Sequence, residues 1–181
     1  MRAQQRYLGL LAAQPPISDE DAVPLECVSF SREARHYLQC QLYAPGRLRG
    51  GLMFGSKRGD TLDVRFVSPM GYPWWYADST SAPLDLDERY VLGWSDCLEV
   101  LHGGEIDWVG NWLARPNSLL GDVAEDLIWL GLGAEKGLFD DRHVLVVVGW
   151  GEGALTGRAY AHDLGEFVQI SCSLGAIAAA R

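Results

Sequence analysis

Residues 107–118 read DWVGNWLARPNS. The apolar pattern from Ile106 to Trp112 predicts a strand. Gly110, Trp112 and Pro116 then form G-x-W-x-x-x-P, which reads as a rigid exit from that strand, because proline fixes its own backbone and restricts the residue before it. Leu113, Ala114 and Arg115 stand between Trp112 and Pro116. A constrained turn of this kind is suited to holding a ligand, yet it is filled by a leucine and a permanently charged arginine.

Working outward from this stretch, the chain alternates strand and helix signals. Leu25 to Phe30 reads as a strand, and Ser31 caps a helix from Arg32 to about Leu42, with Glu33 in its first turn. Gly51 to Phe54 and Leu62 to Val67 read as short strands joined by a turn over Ser56 to Asp60. A long loop, Ser68 to Leu84, follows. Asp85 or Asp87 caps a helix reaching about Leu101, whose Tyr90, Val91, Trp94, Cys97, Leu98 and Leu101 recur with helical period, and Gly103-Gly104 stops it. Asp122 with Glu125 resembles a capping box for a helix from Val123 to about Leu132. Val144 to Trp150 is an almost unbroken apolar run and reads as a central buried strand. Leu155 to Ala161 and Phe167 to Cys172 complete the sheet. The order β-α-β-β-α-β-α-β-β-β predicts an α/β fold, a mixed β-sheet flanked by helices.

The length of 181 residues suits one domain with a core of its own. Residues 1–22 read as a flexible N-terminal extension, 23–175 as the domain and 176–181 as a C-terminal tail. Arg2, Arg6 and the leucines that follow imitate a signal peptide, but the apolar part is too short. No apolar run reaches the roughly 18–20 residues of a membrane span. The net charge of −9, without a basic patch, argues against nucleic acid and anionic membrane as partners. Cys27, Cys40, Cys97 and Cys172 form no C-x-x-C pair and read as reduced core cysteines of a cytoplasmic protein, with a Cys27–Cys40 bridge left open by spacing alone. The preference for arginine over lysine suits a GC-rich, bacterial source.

Two segments together resemble the JAMM/MPN (Mov34/MPN/PAD-1) family, whose active members are zinc isopeptidases acting on ubiquitin or ubiquitin-like conjugates. The family pattern is a glutamate shortly before a G-[VIL]-L-x-G strand, then G-x-W-H-x-H-P, then a serine and an aspartate. Here Leu48-Arg49-Gly50-Gly51-Leu52-Met53-Phe54-Gly55 is similar to the first segment, with Leu48 where the glutamate stands. Gly110 to Pro116 is similar to the second, with Leu113 and Arg115 at the histidine positions; Val123 falls at the serine position and Asp126 at the aspartate position. The resemblance implies a JAMM/MPN-like (cytidine-deaminase-like) fold whose frame, Gly51, Gly55, Gly110, Trp112, Pro116 and Asp126, survives while its chemistry is lost. A catalytic zinc needs about three protein ligands, and Asp126 alone cannot supply them. An emptied site leaves Asp126 as a costly buried carboxylate, so the expectation is an Arg115–Asp126 ion pair, with Leu48 and Leu113 filling the ligand volume.

Other candidates are weaker. His36, His102, His143 and His162 are scattered, with His102 and Glu105 as the one irregular metal pairing. Ser95-Asp96-Cys97 lies inside a helix, without a nucleophile elbow. Gly51 to Gly55 and Gly149 to Gly153 lack the G-K-[ST] of a phosphate loop and read as turns or bulges. The loop aromatics Tyr72, Trp74, Trp75 and Tyr76 form a candidate binding surface, since rigid aromatics anchor interfaces; the competing reading folds them back as satellite core.

The resulting expectation is a catalytically inactive JAMM/MPN-like domain, without catalytic residues or cofactor, acting as a protein-binding or scaffold module. Its partner would be a ubiquitin-like protein, an active JAMM homologue or a second copy, including a homodimer. The alternative is an active JAMM-like metallo-isopeptidase or hydrolase that holds zinc through non-standard ligands.

Overall fold

The computed structural model describes residues 23–44, 48–71, 84–139, 142–163 and 166–174. Among the described residues, seven strands and three helices follow in the order β1 (Cys27–Phe30), α1 (Arg32–Tyr43), β2 (Arg49–Arg58), β3 (Thr61–Pro69), α2 (Glu88–His102), β4 (Asp107–Leu119), α3 (Val123–Glu135), β5 (Val144–Gly151), β6 (Ala154–Asp163) and β7 (Glu166–Ser173). The element order matches the sequence reading, but the architecture does not. The strands form a closed barrel, β1-β3-β2-β4-β5-β6-β7, and the expected α/β, JAMM/MPN-like mixed sheet flanked by helices is overturned. Closure comes from the short β1, which pairs in parallel with both β3 and β7 and so removes the two edges an open sheet would keep. β4 and β5 are the other parallel pair.

The strands are also longer than the turn signals suggested. β2 and β3 pair antiparallel from Gly51–Pro69 to Arg58–Thr61, leaving only Gly59 and Asp60 as the loop rather than Ser56 to Asp60. β4 does not end at Trp112. It pairs with β2 through Ala114, then bulges away from β5 and re-pairs at Leu119 with Trp150. Pro116 is tolerated because it falls in this bulged stretch, where no ladder hydrogen bond needs its missing N–H.

Helix starts follow the capping chemistry. Ser31 Oγ accepts from Ala34 N at 3.1 Å and donates to Arg65 O at 2.9 Å, tying α1 to β3. Asp87 accepts from Arg89 N at 2.9 Å, and left-handed Gly103 ends α2. Asp122 accepts from Ala124 N at 3.3 Å at the head of α3. No helix among the described residues is long and apolar enough to cross a membrane.

Period-two alternation splits the core in two. One cluster draws on every strand, including Val28, Met53, Val64, Trp112, Val146 and Ala159 with Ile170 and Cys172 packed against it, and is therefore the barrel interior. Ala34, Leu38 and Leu42 place α1 in this interior cluster. A second cluster is centred on β2, β4, β5 and β6, through Leu52, Phe54, Trp108, Leu113, Leu145 and Tyr160, with Phe66 of β3 and Phe167 of β7 packed against it, and is covered by Val91 and Leu98 of α2 and Leu130 of α3. The cysteines do not all belong to the core: Cys40 and Cys97 are exposed, Cys27 and Cys172 half-buried, and all four are free, Cys27 and Cys40 included. Burial, together with the charge of nearby Cys27, pushes the Cys172 thiol up to about 12, so it is an inert thiol.

Trp112 locks three strands. Its Nε1 donates to Ser68 O on β3 at 2.9 Å, reaching across Gly51 of β2, to which Trp112 is paired in register. A Cβ on Gly51 would stand 1.9 Å from Ser68 O and 2.6 Å from Trp112 Nε1. Gly51→Ala is therefore expected to separate the indole from its acceptor and to cost about 2 kcal/mol or more, the sum of overpacking and an orphaned buried donor. A urea midpoint equal to that of the wild type would contradict this.

Candidate functional site

Strand register explains how residues far apart in sequence meet on one outer face. Gly50, Leu113, Val147 and Arg158 lie in one row across β2, β4, β5 and β6. The next row on the same face runs Leu52, Asn111, Leu145 and Tyr160. Leu48 directly precedes β2, one step beyond the Arg49–Ala114 pair, and so comes beside Arg115. Helix α3 lies over these rows and lowers Asp126 onto them. The outcome is a cleft lined by Leu48, Leu113, Arg115, Leu119, Glu125, Asp126 and Trp129, with Gly121, Val147 and Val148.

Four positions singled out in the sequence, Leu48, Leu113, Arg115 and Asp126, thus line one cleft. Val123 does not; it sits 41% exposed in the first turn of α3. Tyr72, Trp74, Trp75 and Tyr76 lie outside the described residues.

The expected Arg115–Asp126 pair is not formed. Arg115 Nη2 pairs with Glu125 at 3.0 Å on the rim, where both side chains are about half exposed. Asp126 is 2% exposed, at the floor, and its Oδ2 accepts from Arg158 Nε at 2.6 Å and from Tyr160 Oη at 2.7 Å. Arg158 also donates from Nη2 to Gly121 O at 2.7 Å, which fastens the loop before α3. The reason is depth. An arginine leaving the bulged end of β4 is at the mouth, where Glu125 meets it first, whereas β6 passes directly beneath Asp126. Sequence reasoning missed Arg158 and Tyr160, although the signal was available: in Ala154–Asp163, residues 158 and 160 share one strand face, and a charge on a strand next to an apolar central strand needs a partner.

These contacts set the electrostatics. Burial opposes the Arg158 charge, but its hydrogen bond to Asp126 and the carboxylate's charge outweigh that, and its pKa is raised. Burial, then the hydrogen bond to Asp126 and its negative charge, push the Tyr160 hydroxyl up to about 12. Tyr160 therefore stays a neutral donor and Arg158 a fixed cation. A buried carboxylate held by Arg158 and Tyr160 in this way is part of a structural ion pair. Leu48 and Leu113 supply no donor atoms, and Leu113 is completely buried. The cleft has room for one or two ordered waters, about 20 Å³. Among the described residues no three His, Cys, Asp or Glu side chains converge; His102 instead rests its ring against Phe66.

No family model matches the chain, and no curated protein matches it. Among solved structures, it is similar to the solution structure of protein DSY2949 from Desulfitobacterium hafniense, at 14% identity and a TM-score of 0.54, over 81% of this chain and 90% of that one. That likeness concerns the fold alone.

The site carries a pH signature. Tyr160 has an ordinary value of 10 and is held at about 12 in the fold, so the fold binds a proton that the unfolded chain releases between those values. This stability is fully present below pH 10 and lost as pH rises through 12. Tyr37, raised to about 12 by burial and then by Tyr90, adds to it. Urea titrations near pH 9 and pH 11 should show a fall in wild-type stability on the order of 2 kcal/mol, and a clearly smaller fall in Tyr160→Phe. Parallel pH profiles in the two proteins would contradict the assignment.

Proposed function

We propose that this domain is a non-catalytic protein-binding module. The observation that carries the reading is the way the cleft is filled: leucines stand at two positions, and the buried carboxylate is committed to Arg158 and Tyr160. In the JAMM/MPN family the corresponding positions hold the general base and the metal. The resemblance enters only through these positions and their meeting in one cleft, since the expected fold is overturned. Replacing nitrogen and oxygen donors by Leu48 and Leu113 removes the means of activating a water, and the internal ion pair takes the place of a metal's positive charge beside Asp126. A domain that keeps a well-packed site of this kind without its chemistry acts through its surface. Here the rim of the cleft continues onto exposed apolar residues, Leu119 and Leu127 among them, the usual mark of an interaction site.

Elemental mass spectrometry on the purified protein, paired with an isopeptidase assay on a ubiquitin-like conjugate, tests the reading. The expected result is zinc far below one per chain and no cleavage. About one zinc per chain together with turnover would overturn it in favour of a metallo-isopeptidase or hydrolase with other ligands. The variant Leu113→His with Arg115→His, which restores donors two residues apart on one strand face beside Asp126, should gain zinc that the wild type lacks.

A further inference from the structure

The barrel is closed by its shortest strand, so closure is incomplete along β7. β1 pairs with β7 only at Ser171, Cys172 and Ser173. β6 pairs with β7 only from Glu166 to Ile170. Among the described residues, the stretch Glu166 to Ile170 therefore has a neighbouring strand on one side alone. The chain leading into β1 does not cover the other side. Val23 O accepts from Lys57 Nζ of β2 at 2.6 Å, and β2 lies beyond β3, so the residues before Glu26 run away from β7.

Hydrogen-bond direction shows what this edge offers. Ser171 N donates to Glu26 O at 2.9 Å, so its N–H points away from β6. Backbone groups alternate sides along a strand, and the β6–β7 register runs from Ala159–Ile170 to Asp163–Glu166 without a bulge. Phe167 and Gln169 therefore turn their N–H and C=O to the open side, whereas Glu166, Val168 and Ile170 turn theirs to β6. Exposure agrees. Among the described residues, β7 is the one strand without a buried side chain, and Val168 is 44% exposed.

We propose that Glu166–Ile170 is the docking edge for an extended segment of a partner protein, which joins the sheet as an added strand; this rests on the reading that the domain works by binding. A row of backbone donors and acceptors is complemented by another extended backbone. Exposed edges are normally blunted by a lysine, a proline or a bulge. The stretch Glu166-Phe167-Val168-Gln169-Ile170 has none of these, and its phenylalanine, valine and isoleucine favour strands. Charge gives the partner its character. Glu166 is exposed at the start of the edge and belongs to none of the ion pairs among the described residues, and the chain carries −9. The incoming strand accordingly brings a lysine or arginine to Glu166 and an apolar residue beside Val168. A second copy is the poorer match, because it brings another −9 and the same glutamate.

The probe is a synthetic peptide of alternating valine and threonine with lysine at both ends, added to the isotope-labelled full chain, with amide exchange read by NMR. At saturating peptide the Phe167 and Gln169 amides should exchange about tenfold more slowly or better, while Val168, already bonded to β6, changes little. The same peptide N-methylated at alternate residues keeps charge and apolarity but loses the ladder, and should protect neither amide. Gln169→Pro removes an outward N–H without touching the β6 pairing; it should abolish protection at Phe167 and keep the wild-type circular dichroism. Unchanged exchange at both amides, or equal protection by the methylated peptide, overturns the proposal. So does protection already present without peptide, which would mean that a second copy or another part of this chain holds the edge. Zinc with turnover defeats the non-catalytic reading whatever these amides do, and is therefore a separate failure.

Discussion

A carboxylate 2% exposed at the head of a helix is the constraint on which this architecture turns. Burying Asp126 costs several kcal/mol unless a cation and hydrogen bonds compensate it, and Arg158 and Tyr160 of β6 do so. The ion pair fixes which side of α3 faces the barrel. At the other end of the helix, Gly133 lies so close to Phe139 that a Cβ would come within 2.1 Å of its ring. With a charged residue and a glycine chosen for the inner stripe, the leucines and isoleucine that hydrophobicity alone would bury are left outside. The cleft and the apolar outer face of α3 are thus two consequences of one interaction.

The barrel makes that interaction possible. Period-two alternation in β2, β4, β5 and β6 brings Leu113, Val147 and Arg158 into one row and Tyr160 into the next, so residues 45 positions apart share one surface patch without any loop reaching across. The opposite faces of the same strands supply the interior cluster, Trp112 among its members. Leu113 and Trp112, neighbours in sequence, therefore serve the two cores separately, and the leucine belongs to the outer face that α3 covers.

Much of the local structure was legible because it is encoded locally. Ser31 and Asp122 announced their helices through side-chain oxygens next to free backbone donors, Asp85 or Asp87 was expected to cap α2 and Asp87 does, and the pair Gly103-Gly104 announced its end, where Gly103 is left-handed. The run from Val144 read as a buried strand because it is one. Closure was not legible, because it depends on β1 pairing with β7, some 140 residues away, and nothing in either short strand specifies that partner. The stretch 107–118 misled for a physical reason: Pro116 looks like a strand end, but the pairing runs past Trp112 to Ala114, and the proline is absorbed in a bulge. At the site, four of the five positions named through the resemblance line one cleft, Val123 being the exception, but the expected partner for Asp126 was wrong, since depth within a cleft is a three-dimensional property and Glu125, one residue away, competes for Arg115.

Amide hydrogen exchange followed by mass spectrometry on Arg158→Met tests the central claim most directly. If the ion pair holds α3 in its orientation, leaving Asp126 buried without its cation costs about 3–5 kcal/mol, and the helix detaches to relieve it. Protection across residues 123–135 should then fall by about a hundredfold or more, while amides of β2, β4 and β5 keep theirs. Wild-type protection throughout α3 in that variant would contradict the account.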